Sequence, residues 1–426
     1  MNIDSIIPFL FANGIQYLRK VNVKKKENID NARTTANIIY KYFNLFINIL
    51  SRCMGEKKKI IIIVGTRSEV IKFSSIIREL RKNKNFDVKI LHTGQHDTIK
   101  LMKSLNLPNP DFYLGESLRK KWSKKSKIFS IILAIFWAIK TFFKIRKILI
   151  QEKPDAVFYQ GNCMSVPITV FAAKSISRKI ILIHRESGMR MKMGGELESI
   201  LAVLFEKIGD LGDILFAPTP LAKNNLIKEK VRGKIFLTGD PQVEIVNYAS
   251  KISKKKINGE YVIAYIARSI ENKKKIKNLL KILFSSPYKV VFVMNPNVKY
   301  KLKSYGFFDA LKNAKNIILL DSLEYPEFLS LLKNSKALLT DRSGPQQESF
   351  ILKIPCIFLG EDNFWKEFEN IGVVKSTKFD VNKTLKLIQE IKNRGEFYRK
   401  VKKSKYPFGD GKATKKIISI LEKELS

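Results

Sequence analysis

The chain has 426 residues, 45% of them hydrophobic, enough for two domains with full cores. Its formal net charge of +40 implies either a surface drawn to nucleic acid, anionic lipid or polyanionic substrates, or a lysine-rich compositional bias. Three scattered cysteines (Cys53, Cys163, Cys356) and three histidines (His92, His96, His184) argue against disulfides, a zinc site or a Ser/His triad, and suit a reducing compartment.

Residues 1–57 hold two apolar patches, 6–18 and 38–50, around the basic stretch 24–33, and read as a helical extension. Asp4 precedes the first patch and no basic lead-in exists, so no secretory signal is expected. No run reaches about 20 apolar residues, so no membrane-spanning helix is expected. The first clear strand is 60–64. It runs through a Gly65-Thr66-Arg67-Ser68 turn into an amphipathic helix with Ile71, Phe73, Ile76, Ile77 and Leu80 on one face. Such a unit can bind an anion at the unpaired N–H groups of the helix start, with Arg67 forking onto a phosphate, or it can simply build a sheet.

Further strands are expected at 87–92, 155–159, 179–184, 214–216 and 234–238, and after a break at 261–267, 289–294, 316–320, 337–340 and 355–359. Two such runs predict an α/β fold of two doubly wound domains facing a cleft, spanning 58–240 and 241–400 with a hinge near 239–248. A C-terminal helix within 401–426 is expected to return to the first domain.

Residues 127–150 break the pattern. An apolar run at 131–139 is followed by Lys140, Lys144, Arg146 and Lys147 among Phe142, Phe143, Ile145 and Ile148, with Lys120, Lys121, Lys124 and Lys125 ahead of it. This reads either as a helix lying in a membrane interface, with Ile135, Phe136 and Trp137 on its apolar face, or as a sheet-covering helix with a solvated basic face.

Strand ends carry the candidate chemistry, because ligands of open α/β sheets sit there. Gln95 and His96 could contact a phosphate or hydroxyl. Glu186 follows a strand and could act as a general base, or pair with Arg185 or Arg190. Glu196 and Glu198 offer a second carboxylate, with Glu198 more at home on a helix surface. Asp341 to Glu348 form a second Gly turn into a helix. There the N–H groups of Ser343 and Gly344 could hold a diphosphate and Glu348 could accept from ribose hydroxyls.

From about residue 58 onward the chain resembles the UDP-N-acetylglucosamine 2-epimerases, of GT-B fold. GTRSEVIK is similar to that family's GTRPEAIK, TGQHD to its QH segment, HRESGMR to HVEAGLR, MNPNV to NPNV, TDRSGPQQE to TDSGGIQEE and YPFGDGKA to NPYGDGQA. The resemblance implies a UDP-sugar held between the domains by Arg67, Lys72, Gln95, His96, Arg268, Ser343, Gly344 and Glu348, with Phe328 near uracil. It implies elimination of UDP across C1–C2, followed by re-addition or hydrolysis, with Glu186, Glu196 and the position of Asn162 in the catalytic set.

Departures from the family matter. Its HGD is Gln160-Gly161-Asn162 here, so a carboxylate has become an amide, which cannot transfer protons as a base. The GHR histidine and the histidine before NPNV are missing, and the PEE segment is shortened. The expected function is therefore an epimerase-like enzyme on a UDP-sugar. The alternatives are a membrane-associated glycosyltransferase with a UDP-sugar donor, or a degenerate nucleotide-sugar-binding protein. No cofactor, metal or nucleic-acid partner is expected. A homodimer is compatible with the sequence, as is a cytoplasmic location, peripheral at the inner membrane face through residues 120–150.

Overall fold

The computed structural model describes residues 57–115, 127–190, 196–267, 273–361, 363 and 365–425, with the side chains of 127–130 and 196–199 outside that set. The expected extension over 1–57 lies, apart from Lys57, outside the described residues. Lys58–Ser426 forms one compact unit.

Two parallel sheets organise it. The first takes β1 (Lys58–Val64), β2 (Phe86–His92), β3 (Phe112–Tyr113), β4 (Ala156–Gln160), β5 (Ile181–Arg185), β6 (Ile214–Ala217) and β7 (Lys234–Leu237), in the order β3-β2-β1-β4-β5-β6-β7. The second takes β8 (Tyr261–Ile266), β9 (Lys289–Met294), β10 (Ile317–Leu320), β11 (Leu338–Thr340), β12 (Cys356–Phe358) and β13 (Val374–Ser376), in the order β10-β9-β8-β11-β12-β13. This is the expected α/β architecture of two doubly wound halves. The sequence reading missed β3 and β13, which have only two and three residues.

The central strands are continuous apolar runs because both sheet faces are covered. Ile60 and Ile62 point to the Arg67–Lys82 helix through Phe73, Ile76, Ile77 and Leu80, while Ile61 and Ile63 point to Ile145, Leu149, Val166 and Val170 on the other face. Each sheet reverses its winding once, between β1 and β4 and between β8 and β11. Those two switch points leave crevices beyond the strand ends.

After β7 the chain turns at Gly239 and becomes helical over Gln242–Ile252, so most of the expected hinge is a helix. The last helix, Ala413–Glu424, packs on Arg67–Lys82: Thr414 Oγ1 donates to Ser75 Oγ at 3.0 Å, and Asn83 Nδ2 donates to Glu422 at 2.8 Å. The Lys127–Glu152 helix covers the first sheet through Ile145 and Leu149. Trp137 is half-buried against that core, not on the exposed stripe where the sequence placed it.

Candidate active site

The turn after β1 departs from expectation first. Thr66 caps the Arg67–Lys82 helix, and Glu69, one turn in, reaches back: its Oε2 accepts from Gly65 N (2.9 Å) and Thr66 N (2.7 Å), and its Oε1 accepts from Ser165 Oγ (2.8 Å). Two backbone donors of this turn, Gly65 N and Thr66 N, are thus taken by the chain's own carboxylate, in a capping box. Burial raises the Glu69 pKa in spite of these bonds. Gly65 is required here, because a Cβ would come within 2.0 Å of Thr93 Oγ1. Thr93 N and His96 N donate to the Val64 and Gly65 carbonyls, which brings Gln95 and His96 beside the turn. Gln95 Oε1 is buried without a partner.

Glu186 follows β5 in a left-handed conformation (φ 63°) that turns its carboxylate back over β4. Its Oε1 is bonded by Lys72 Nζ, and its Oε2 would lie 3.3 Å from a Cβ at Gly161. The expected pairing with Arg190 does not form: Arg190 binds Asp210 and Glu229, each at 2.7 Å. Arg185 stands 3.9 Å away. Burial pushes the Glu186 pKa up, but Lys72 and Arg185 pull harder and the net direction is down. Lys72 and Glu186 therefore meet beside Gly161 at the end of β4, although 114 residues separate Lys72 from Glu186.

Cys163 joins them, its Sγ 3.5 Å from Thr66 Oγ1. Burial and the nearby Glu69 push its thiol well up, so it is protonated and unreactive. Beneath the Glu186 turn, Asp210 Oδ1 lies 2.8 Å from His184 Nδ1 and accepts from Ser187 Oγ, while Nε2 of the same histidine lies 3.2 Å from the Gly161 carbonyl. This pair ties the ends of β4 and β5 together. Glu206 is buried close by with Oε1 unpartnered, and burial and Asp210 push its pKa well up.

Across the cleft, the Ser343–Ile351 helix starts differently. Arg342 gives it no side-chain cap, and Ser343 and Gly344 are exposed with open space over Gly344. Asp341 is occupied by Ala267 N at 2.9 Å, and Trp365 Nε1 holds the Ser343 carbonyl at 3.0 Å. Unlike the first, this helix start has no side-chain cap to occupy its backbone donors. Arg67 spans the gap between halves: it donates to the Leu323 carbonyl at 3.3 Å and lies 3.8 Å from Glu324. Phe328 is buried, its ring 5.3 Å from that of the more open Tyr265.

Glu348 is buried and hydrogen-bonded with Tyr325. Burial drives its pKa from 4.5 to about 7, with Tyr325 and Arg67 opposing. A carboxyl raised on folding stabilises the fold fully below its unfolded pKa, and that contribution is lost as pH rises through the folded one. Between pH 4.5 and about 7 wild type should therefore lose stability, on the order of 3 kcal/mol at most. Glu348→Gln should lose less over the same window. Thermal melts of the two proteins at pH 5 and pH 8 check this; parallel curves would mean Glu348 is ionised throughout.

A buried network joins the halves. Arg185, 2% exposed, donates to Gln160 Oε1 and to Asp240 Oδ1, both at 2.7 Å. Gln347 donates to Asp240 Oδ2 (3.4 Å) and to the Tyr406 hydroxyl (2.8 Å). No sequence motif pointed to these five residues as a set. Arg268 and the side chains of Glu196 and Glu198 lie outside the described residues.

The profile of the UDP-N-acetylglucosamine 2-epimerase family matches residues 78–422. The UDP-N-acetylglucosamine 2-epimerase of Methanocaldococcus jannaschii is 33% identical over 385 residues, covering 85% of this chain and 98% of that protein. The chain belongs to the UDP-N-acetylglucosamine 2-epimerase family. The Campylobacter jejuni member is 29% identical and covers 86% and 98% of the two chains. The M. jannaschii structure, in complex with UDP-GlcNAc and UDP, aligns with a TM-score of 0.69 over 86% of this chain and 99% of its own. A plant glycosyltransferase from Phytolacca americana aligns at TM-score 0.56 with 11% identity, a likeness of fold alone. Membership of the epimerase family therefore disfavours the glycosyltransferase alternative.

Proposed function

We propose that the chain converts UDP-GlcNAc, or a close relative, by eliminating UDP across C1–C2 and then re-adding it or water. The diphosphate lies on the open Ser343–Gly344 turn, Arg67 closes over it from the other half, and Glu348 receives the ribose. The sugar ring reaches the first switch point. There the Glu186 carboxylate takes the C2 proton, the C1–O bond breaks with its electrons leaving on UDP, and a C1–C2 double bond forms. Return of a proton to the opposite face of C2, with UDP or water adding at C1, completes the turnover.

The observation that carries this reading is the Lys72–Glu186 pair: the ammonium favours the ionised form of the carboxylate that follows β5, as a proton acceptor requires. Asn162 cannot take that part. The free thiols of Cys163 and Cys356 fit a cytoplasmic setting.

Incubation with UDP-GlcNAc and no acceptor tests the proposal. The expected products are UDP-ManNAc, or ManNAc with free UDP. Unchanged substrate that turns over only when a sugar or lipid acceptor is added would replace the proposal with glycosyl transfer.

A further inference from the structure

Glu186 holds a left-handed backbone conformation (φ 63°), which a residue with a Cβ keeps only when its surroundings fix it on both sides. The backbone supplies part of that restraint: Gly161 N donates to the Arg185 carbonyl at 3.1 Å, and Ser187 N to the Phe216 carbonyl at 3.2 Å. The Arg185 side chain, from the last residue of β5, supplies the rest. One guanidinium nitrogen reaches Gln160 at the end of β4 and the other reaches Asp240 beyond β7, both at 2.7 Å. A planar fork held at both tips has a single orientation, which a point charge on a flexible stem does not. Gln160 and Arg185 stand where the family's HGD and HVE carry histidine and valine. They are bonded to each other, so two departures in sequence form one unit in space.

Asp240 passes the contact to the second half. Its Oδ1 also accepts from Gln242 N at 3.1 Å, and its Oδ2 accepts from Gln347 Nε2 at 3.4 Å. Gln347 lies one turn into the Ser343–Ile351 helix, whose first residues are the proposed diphosphate site. Gln242 Nε2 donates to the Tyr325 hydroxyl at 3.3 Å, and Tyr325 is hydrogen-bonded with Glu348. Two routes therefore run from the helix that would seat the nucleotide to Asp240, and one runs on through Arg185 to the residue beside Glu186. Arg185 also stands 3.9 Å from the Glu186 carboxylate, so one guanidinium faces both acids. A shift of the second half that moves Asp240 pulls on that guanidinium, and the Glu186 backbone is joined to it directly.

We propose that Arg185 is a positioning residue: it links the seating of the nucleotide on the Ser343–Ile351 helix, through Gln347 and Asp240, to the place of the Glu186 carboxylate. The proposal rests on the role given to Glu186 in the proposed function. Arg185 is 2% exposed and sealed from the cleft, so it acts through its neighbour and not on the sugar.

Steady-state kinetics with UDP-GlcNAc on Arg185→Lys, Asp240→Asn and the double variant, beside UDP titration and thermal melts, are the test. Lysine keeps the charge but cannot hold both partners of the fork. Asparagine keeps an oxygen for Arg185 and Gln242 but turns an NH2 group toward Gln347. Each single variant should lower kcat about tenfold or more while KM and UDP affinity stay within about twofold of wild type. Hydrogen exchange at C2 in heavy water should slow in step with kcat. Both changes cut one link, so the double variant should be no slower than the slower single variant, to within about twofold. Single losses that multiply in the double variant would overturn the proposal. So would wild-type kcat in Arg185→Lys, or losses of kcat and UDP affinity in equal proportion, which mark a loosened fold. Should the melt show Arg185→Lys unfolded, Asp240→Asn decides alone by the same split of kcat from KM. A wild type that leaves UDP-GlcNAc unchanged would remove the proposed function and this inference together, whereas an active wild type with unaffected variants removes this inference only.

Discussion

Glu186→Gln is expected to cut turnover of UDP-GlcNAc by about a hundredfold or more while leaving UDP affinity nearly unchanged. The glutamine keeps the size of the side chain and an acceptor for Lys72, so the turn after β5 and the Arg67–Lys82 helix should hold their places. What is lost is the basicity of the oxygen 3.3 Å from the Cβ position of Gly161. The proposed UDP contacts lie elsewhere, on Ser343, Gly344 and Arg67. Titration of UDP into both proteins, beside steady-state kinetics, separates the two effects. A variant with wild-type turnover would reduce Glu186 to an ion-pair partner that fixes Lys72. A variant that loses UDP binding in proportion would move Glu186 from chemistry to recognition.

The second large effect is expected at Asp240. Its carboxylate receives Arg185 at 2.7 Å on one oxygen and Gln347 at 3.4 Å on the other, all within the buried base of the cleft. Asp240→Ala leaves the Arg185 guanidinium buried with the Gln160 amide oxygen as its hydrogen-bond partner and the Glu186 carboxylate, already paired with Lys72, at 3.9 Å. Breaking one side of such a pair costs about 3–5 kcal/mol, because the remaining charge has lost its close partner and cannot reach water. Urea denaturation should show the midpoint falling by that equivalent. A shift below about 1 kcal/mol would mean that water solvates Arg185 in the variant and that the network contributes little to holding the halves.

The sequence showed most of the scaffold because a parallel strand covered on both faces leaves an unmistakable apolar run, as at Ile60–Val64. It failed at β3 and β13, where two or three residues are too few for any period. At the site, each partner of the Lys72–Glu186 pair was legible as a candidate, but the pairing was not, since it joins the helix after β1 to the turn after β5, 114 residues apart in the chain. The capping box at Thr66-Arg67-Ser68-Glu69 was written in the sequence and read past: a Thr three residues ahead of a Glu signals that the helix start satisfies itself. The buried set Arg185, Asp240, Gln347 and Tyr406 left no local trace, because its members come from four separate segments and share only their position at the base of the cleft.

The central claim is proton removal from C2, and exchange with solvent reads it directly. UDP-GlcNAc incubated with wild type in heavy water should acquire deuterium at C2 in the product and, on reversal, in recovered substrate. The Glu186→Gln variant should do so about a hundredfold more slowly or worse. Turnover that leaves the C2 hydrogen of every product unexchanged would contradict elimination across C1–C2, and with it the role given to Glu186.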